Sequence, residues 1–209
     1  TLKMGLKFFT IMKKIEISLL AVFIISVILK IFSVDGADVL LGISLSILAM
    51  LYYPFGFFII NSVPIRQGFK RESYKGISFL KGFGAVATGI SLSILIVGMM
   101  FKFLMYPGAS VMLSVGLISS SFILSISLYK YLGNFSANFY RQMVVRMVVF
   151  IAFGSTLFFT PGTSLVGFFY KDYPEYVKAY EAAAAYPDDV ELQKKLDEEF
   201  QNMVDGKNE

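Results

Sequence analysis

The chain has 209 residues, 56% of them hydrophobic, with 22 Phe and neither Cys, His nor Trp. The missing Cys and His exclude disulfides, thiol catalysis, haem, most zinc sites and histidine acid–base chemistry. Long charge-free runs mark an all-α polytopic membrane protein; the net charge of +4 conceals a split, since residues 1–170 carry 14 Lys/Arg against four Asp/Glu and residues 171–209 carry five Lys against eleven.

Residues 1–14 place Lys3, Lys7, Lys13 and Lys14 among Leu2, Leu6, Phe8, Phe9 and Ile11. This basic start anchors a first span over about 15–32 on the inner side of the membrane. No small-x-small cleavage pattern follows, so the run is read as a retained helix rather than a signal peptide. A short turn with Asp35 and Asp38 leads to a second span, about 39–60. Pro54 lies inside it and predicts a kink near Met50 to Tyr53.

Residues 61–81 form a basic connector with Arg66, Lys70, Arg71, Lys75 and Lys81. A third span, about 82–104, opens with small residues. Ala85 and Gly89 are four apart on one face, where another helix can come close. A fourth span follows over 109–132, rich in Ser. Residues 133–146, with Arg141 and Arg146, read as a second basic connector. The fifth span starts near Met143 or Met147. It ends either at Thr160, before Pro161-Gly162, or at Tyr170 after a kink.

The acidic end reads as two short helices. Pro174 suits a first helical position, with Glu175 in the first turn, and Pro187 breaks the first helix. The second, Val190–Val204, carries Leu192, Leu196, Phe200 and Met203 on one stripe, a partner-binding face.

The body repeats. Lys30, Gly36, Ala37, Val39 and Leu41 recur 72 positions later as Lys102, Gly108, Ala109, Val111 and Leu113. The spans are therefore two copies of one hairpin, turning at Gly36-Ala37 and Pro107-Gly108-Ala109. A faint third copy has Pro161-Gly162 at the turn and Thr156 at the lysine position. The layout is 1–60 basic start and first hairpin, 61–81 connector, 82–132 second hairpin, 133–170 connector and fifth span, 171–209 tail. With basic segments on one side, five spans put the N-terminus in the cytoplasm and the tail in the periplasm.

Lys30 and Lys102 lie near the outer ends of their helices. An ammonium there can snorkel to the interface and meets the negative end of the helix dipole. The sharper alternative is pairing with a carboxylate from a partner subunit. Asp35 or Asp38 offers Lys30 a local acid, and Lys102 has none nearby. Spans two to five contain no carboxylate at depth, and Glu16 sits at the inner edge of span one. No paired carboxylates, phosphate loop or metal spacing points to an enzyme or a cofactor.

Gly98-x3-Lys102-Phe-x3-Pro107-Gly108-Ala109-x2-Met112-Leu113-x2-Gly116-Leu117 resembles the two-helix membrane segment of the gliding-motility protein L family. The resemblance covers about 40 residues of the second hairpin and, more faintly, the first. It implies a hairpin from the inner-membrane motor of bacterial gliding and type IX secretion, assembled in several copies around a partner and driven by proton flow. That family's second helix carries a glutamate shortly after its Gly-Leu. Here that neighbourhood reads Ser119-Ser120-Ser121. Lys102 carries over by position and Lys30 by the internal repeat, and the glutamate does not.

The function expected is a non-enzymatic inner-membrane subunit of an envelope complex, in contact with lipid and with other membrane subunits as a homo- or hetero-oligomer. It takes no nucleic acid. A serine-lined transporter or channel, and an anchor for the exported tail, are the competing classes.

Overall fold

The structure, a computed structural model, describes residues 2–61, 63, 77–133 and 137–206. The basic residues Arg66, Lys70, Arg71 and Lys75 lie outside the described residues. Among those described there are eight helices and no strand: α1 (Leu2–Ile31), α2 (Ala37–Asn61), α3 (Phe79–Phe103), α4 (Ala109–Leu132), α5 (Ala137–Phe159), α6 (Gly162–Phe169), α7 (Pro174–Ala185) and α8 (Val190–Gly206). Four of them are long and apolar enough to cross a membrane: α2, α3, α4 and the Asn138–Phe159 part of α5. The helix α1 is long as well, but Lys13, Lys14, Glu16 and Lys30 interrupt its apolar run.

The helices pack in chain order, α1 on α2, α2 on α3, α3 on α4 and α4 on α5, with α5 folding back on α3. Large aliphatic side chains point inward and are fully buried, among them Leu41, Leu45, Leu48, Leu92, Leu95, Ile96 and Leu113. An aromatic cluster ties distant elements together. Phe23 of α1 meets Phe153 of α5 edge-on at 5.5 Å and Phe103 of α3 at 5.8 Å, and Phe103 also meets Phe169 of α6 at 6.0 Å. The outer faces carry Ile17, Ile24, Ile43, Val111, Ile118, Phe122 and many like them, as helices facing lipid do.

Glycines let the backbones touch. A Cβ built on Gly56 of α2 would stand 2.6 Å from Cα of Gly89, and one on Gly89 would stand 2.6 Å from the Tyr52 carbonyl oxygen. Ala85, one turn before Gly89, is fully buried at the same contact. The small-residue face of α3 is thus where α2 comes close, as its spacing predicts. Between α3 and α4, a Cβ on Gly98 would meet the Leu113 amide at 2.8 Å, and one on Gly116 would meet Leu95 Cα at 2.6 Å.

Two expected boundaries move. The connector read over 133–146 is mostly helix, because α5 already begins at Ala137, and Arg146 lies well inside it. The helix expected as a fifth span, α5, ends at Phe159, and the apolar residues beyond Pro161 form a separate short helix, α6. Proline disfavours a helical residue before it and lacks the N–H that would continue the ladder. Pro54 behaves differently: α2 runs helically through it from Ala37 to Asn61.

Candidate functional site: buried charges within the helix bundle

The α1–α2 and α3–α4 turns share one backbone design. Ser33 and Met105, the residues just past the helix ends, both take left-handed conformations, with φ of 52° and 56°. The Val34 amide donates to the Leu29 carbonyl at 3.0 Å, and the Tyr106 amide donates to the Phe101 carbonyl at 2.8 Å. This long closing bond satisfies a carbonyl that the helix end leaves free. Gly36 and Gly108 then adopt φ of 80° and 81°. Their carbonyls accept from the Leu40 and Met112 amides at 3.0 and 3.1 Å, opening the next helix. Each of these pairs is separated by 72 residues. Ala37 and Ala109, the first residues of the returning helices, are both buried, and Pro107 is exposed on the turn. At the α5–α6 corner Gly162 has no positive φ, and Pro161 is extended at φ −58°, ψ 145°. That corner is a different turn.

Lys30 ends α1, and only 3% of it is exposed. Its ammonium donates to the Asp38 carboxylate at the start of α2 and to the Tyr170 hydroxyl at 2.9 Å. The Tyr170 hydroxyl in turn donates to Asp38 Oδ2 at 3.3 Å. The ammonium also stands 4.5 Å from the Tyr170 ring centre and 5.1 Å from that of Phe169, within the range of a cation–π contact. One turn away, the Ser33 hydroxyl donates to Asp172 at 2.7 Å. The α6–α7 junction is thereby tied to the α1–α2 turn.

Lys102 ends α3 in the corresponding place and is 9% exposed. Among the described residues it makes no hydrogen bond or ion pair. The residue matching Asp38 is Ser110, which is exposed and carries no charge.

A second charged cluster lies deeper. Glu16 on α1 is 6% exposed. The Arg146 guanidinium of α5 grips it with two bonds, Nε to Oε1 and Nη2 to Oε2, both 2.8 Å. The Tyr52 hydroxyl of α2 donates to the same carboxylate. Arg146 also donates to the Gln142 carbonyl at 3.2 Å, and the Tyr52 ring lies edge-on to Phe150 at 5.7 Å. Glu16 and Lys30 are separated by roughly 21 Å of helix axis at the usual rise per residue. The two clusters therefore sit at different depths along α1. A fork-on-fork Arg–carboxylate pair is the strongest and most directional ion pair available to a protein. It orients Glu16 and occupies both of its oxygens, a clamp between α1 and α5.

Sequence reading places Glu16 at an inner edge and Arg146 in a connector, and their pairing was not legible. They are 130 residues apart, and no local pattern links them. Ser120 of α4 is fully buried with its hydroxyl unpartnered among the described residues.

The tail stripe is used within the chain. Met203 is buried, Leu192 and Leu196 are half-buried, and Phe200 lies 5.9 Å from the Tyr176 ring of α7. The helices α7 and α8 form a hairpin, and Gly162 lets Tyr180 press on the start of α6: a Cβ there would stand 2.8 Å from the Tyr180 hydroxyl.

Residues 87–131 match the family model of the GldL N-terminal domain. Neither a curated protein nor a solved structure matches the chain. The matched stretch is the α3–α4 hairpin with its turn. Gly98 and Gly116 of the shared motif are the positions where the two backbones meet. The chain is a helical membrane protein carrying a GldL-like hairpin.

Proposed function

We propose that the chain is a non-enzymatic, five-span subunit of a bacterial inner-membrane envelope complex, related to the membrane part of the gliding and type IX secretion motor. Its body is a duplicated GldL-like hairpin, its N-terminus is cytoplasmic and its acidic tail lies on the outer side. The observation that carries this reading is the match over 87–131, whose motif residues serve helix contact and turn geometry. The common backbone of the two turns supports the duplication. Counting α1 as a span is supported by the fate of its charges: Glu16 and Lys30 are both buried and neutralised by partners in the same chain. Paired charges cost far less in a bilayer than free ones.

The role is structural rather than ion-carrying. The motor family's glutamate has no counterpart at Ser119-Ser120-Ser121, and the buried carboxylate that is present, Glu16, is held by Arg146. The partner surface is then the lipid-facing side of α2 to α4 and the end of the bundle near Lys102. Purification of the full chain in mild detergent, with identification of co-purifying chains, tests the proposal. Recovery of a defined membrane partner in fixed ratio supports it. A chain that runs alone in several mild detergents and native lipid discs contradicts it.

A further inference from the structure

The two hairpins differ at one functional detail, and that difference identifies a binding site. In the first, Lys30 is enclosed by Asp38, by the Tyr170 hydroxyl and by the rings of Phe169 and Tyr170. In the second, the backbone turn is the same and the lysine stem is again covered, yet Ser110 replaces the acid, and among the described residues no aromatic ring makes a cation–π contact with Lys102. The Lys102 stem is covered while its ammonium end is not fully enclosed, so among the described residues the charge stands unpaired, yet within reach of a group outside the bundle, where an opposite charge from a partner is favourable. We infer that Lys102 is a socket for a carboxylate supplied by another membrane subunit, on a segment that also presents an aromatic face, as Tyr170 does at Lys30. This rests on the reading of the chain as a subunit. The segment that covers Lys30 is not free to serve Lys102 of a second copy, because its Tyr170 and Asp172 are engaged at Lys30 and Ser33.

The serine supplies the test. Ser110→Asp rebuilds in the second hairpin the internal pair that the first one has, and should exclude the outside carboxylate without deleting any group. Ser110→Asn keeps the size and adds no charge. A photo-crosslinking residue placed at Tyr106, which is 51% exposed beside this turn, reports what lies there in intact membranes. The expected result is a crosslink to a peptide of another protein with an Asp or Glu beside an aromatic residue. Its yield should fall about tenfold in Ser110→Asp and in Lys102→Met, as for loss of a partly buried charge pair, and stay within about twofold in Ser110→Asn. Equal yields in all variants, a peptide lacking an acid, or a crosslink solely to a second copy would each overturn the inference. If wild type co-purifies a partner but gives no crosslink at Tyr106, the socket alone is refuted. If it gives neither, the subunit reading falls with it.

Discussion

Glu16 and Arg146 are worth more together than apart. Arg146→Met leaves a buried carboxylate with only the Tyr52 hydroxyl, and should cost about 3–5 kcal/mol. The double variant Glu16→Leu/Arg146→Met removes both charges and should recover most of that loss, because a buried pair often contributes little over apolar replacements. Thermal denaturation in detergent reads both, and a double variant as unstable as the single would contradict the clamp. Gly108 tests the turn in the same way. It has φ of 81° and open space around its missing Cβ, whereas Gly167 in α6 has equally open space and no positive φ. Gly108→Ala should therefore destabilise by about 1–2 kcal/mol, the cost of the left-handed region for an L residue. Gly167→Ala should be neutral or stabilising by up to about 1 kcal/mol. Equal effects would remove the conformational account. At this scale the sequence was partly legible. Lys30 and Asp38 are eight residues apart across a short turn, so their pairing could be anticipated. Ser33 and Met105 could not be singled out, because neither residue type favours the conformation it adopts.

Helix contacts in this bundle are set by where side chains are missing. Gly116→Ala would push a Cβ to 2.6 Å from Leu95 Cα, and backbone must move to admit it. Gly154→Ala meets the same residue at its flexible end, Leu95 Cδ1 at 2.8 Å, which can rotate away. The first should lower stability by about 1–3 kcal/mol, in the range for overpacking, and the second by less. A reversed order in detergent melting curves would contradict the packing described. The α6–α8 end makes a different prediction, in pH. Burial, and then Tyr180 and Asp38, push the Tyr176 hydroxyl up to about 12. Burial, with Asp38 beside it, also raises Tyr170. A released tyrosine ionises near 10, so the docked tail keeps protons that the released tail gives up. Docking is then complete below about pH 10 and weakens as pH rises toward about 12. Protease cleavage within α7 and α8 should appear over that window, and an unchanged cleavage rate up to pH 12 would contradict it. Elements were the most legible level. The run bounded by Pro107-Gly108 and Gly133 gave α4 as Ala109–Leu132, and Pro174 and Pro187 bracketed α7. The end of α5 was ambiguous because α6 is as apolar as what precedes it; Pro161 breaks the helix there, and packing on Tyr180 and Phe103 holds α6 as a separate element.

At the scale of the molecule, α1 decides the topology. Its charges keep it from looking like a span by composition, yet the two that are buried are neutralised by Asp38 and Tyr170 at one end and by Arg146 and Tyr52 deeper in. If it crosses the membrane, the spans number five, and the N-terminus and the tail lie on opposite sides; if it does not, the remaining four spans put them on the same side. Loop charge alone favours that arrangement, but Arg146, counted with a basic connector in a sequence reading, is a helix residue engaged with Glu16. The chain has no cysteine, so single cysteines can be introduced without background. Cells carrying Lys3→Cys or Asp205→Cys, treated from outside with a membrane-impermeant maleimide, give the most direct test. Labelling of Asp205→Cys in intact cells, with Lys3→Cys labelled only after lysis, is the result expected. Labelling of both from the same side would mean that α1 does not span, and would contradict the five-span subunit with its tail on the outer side.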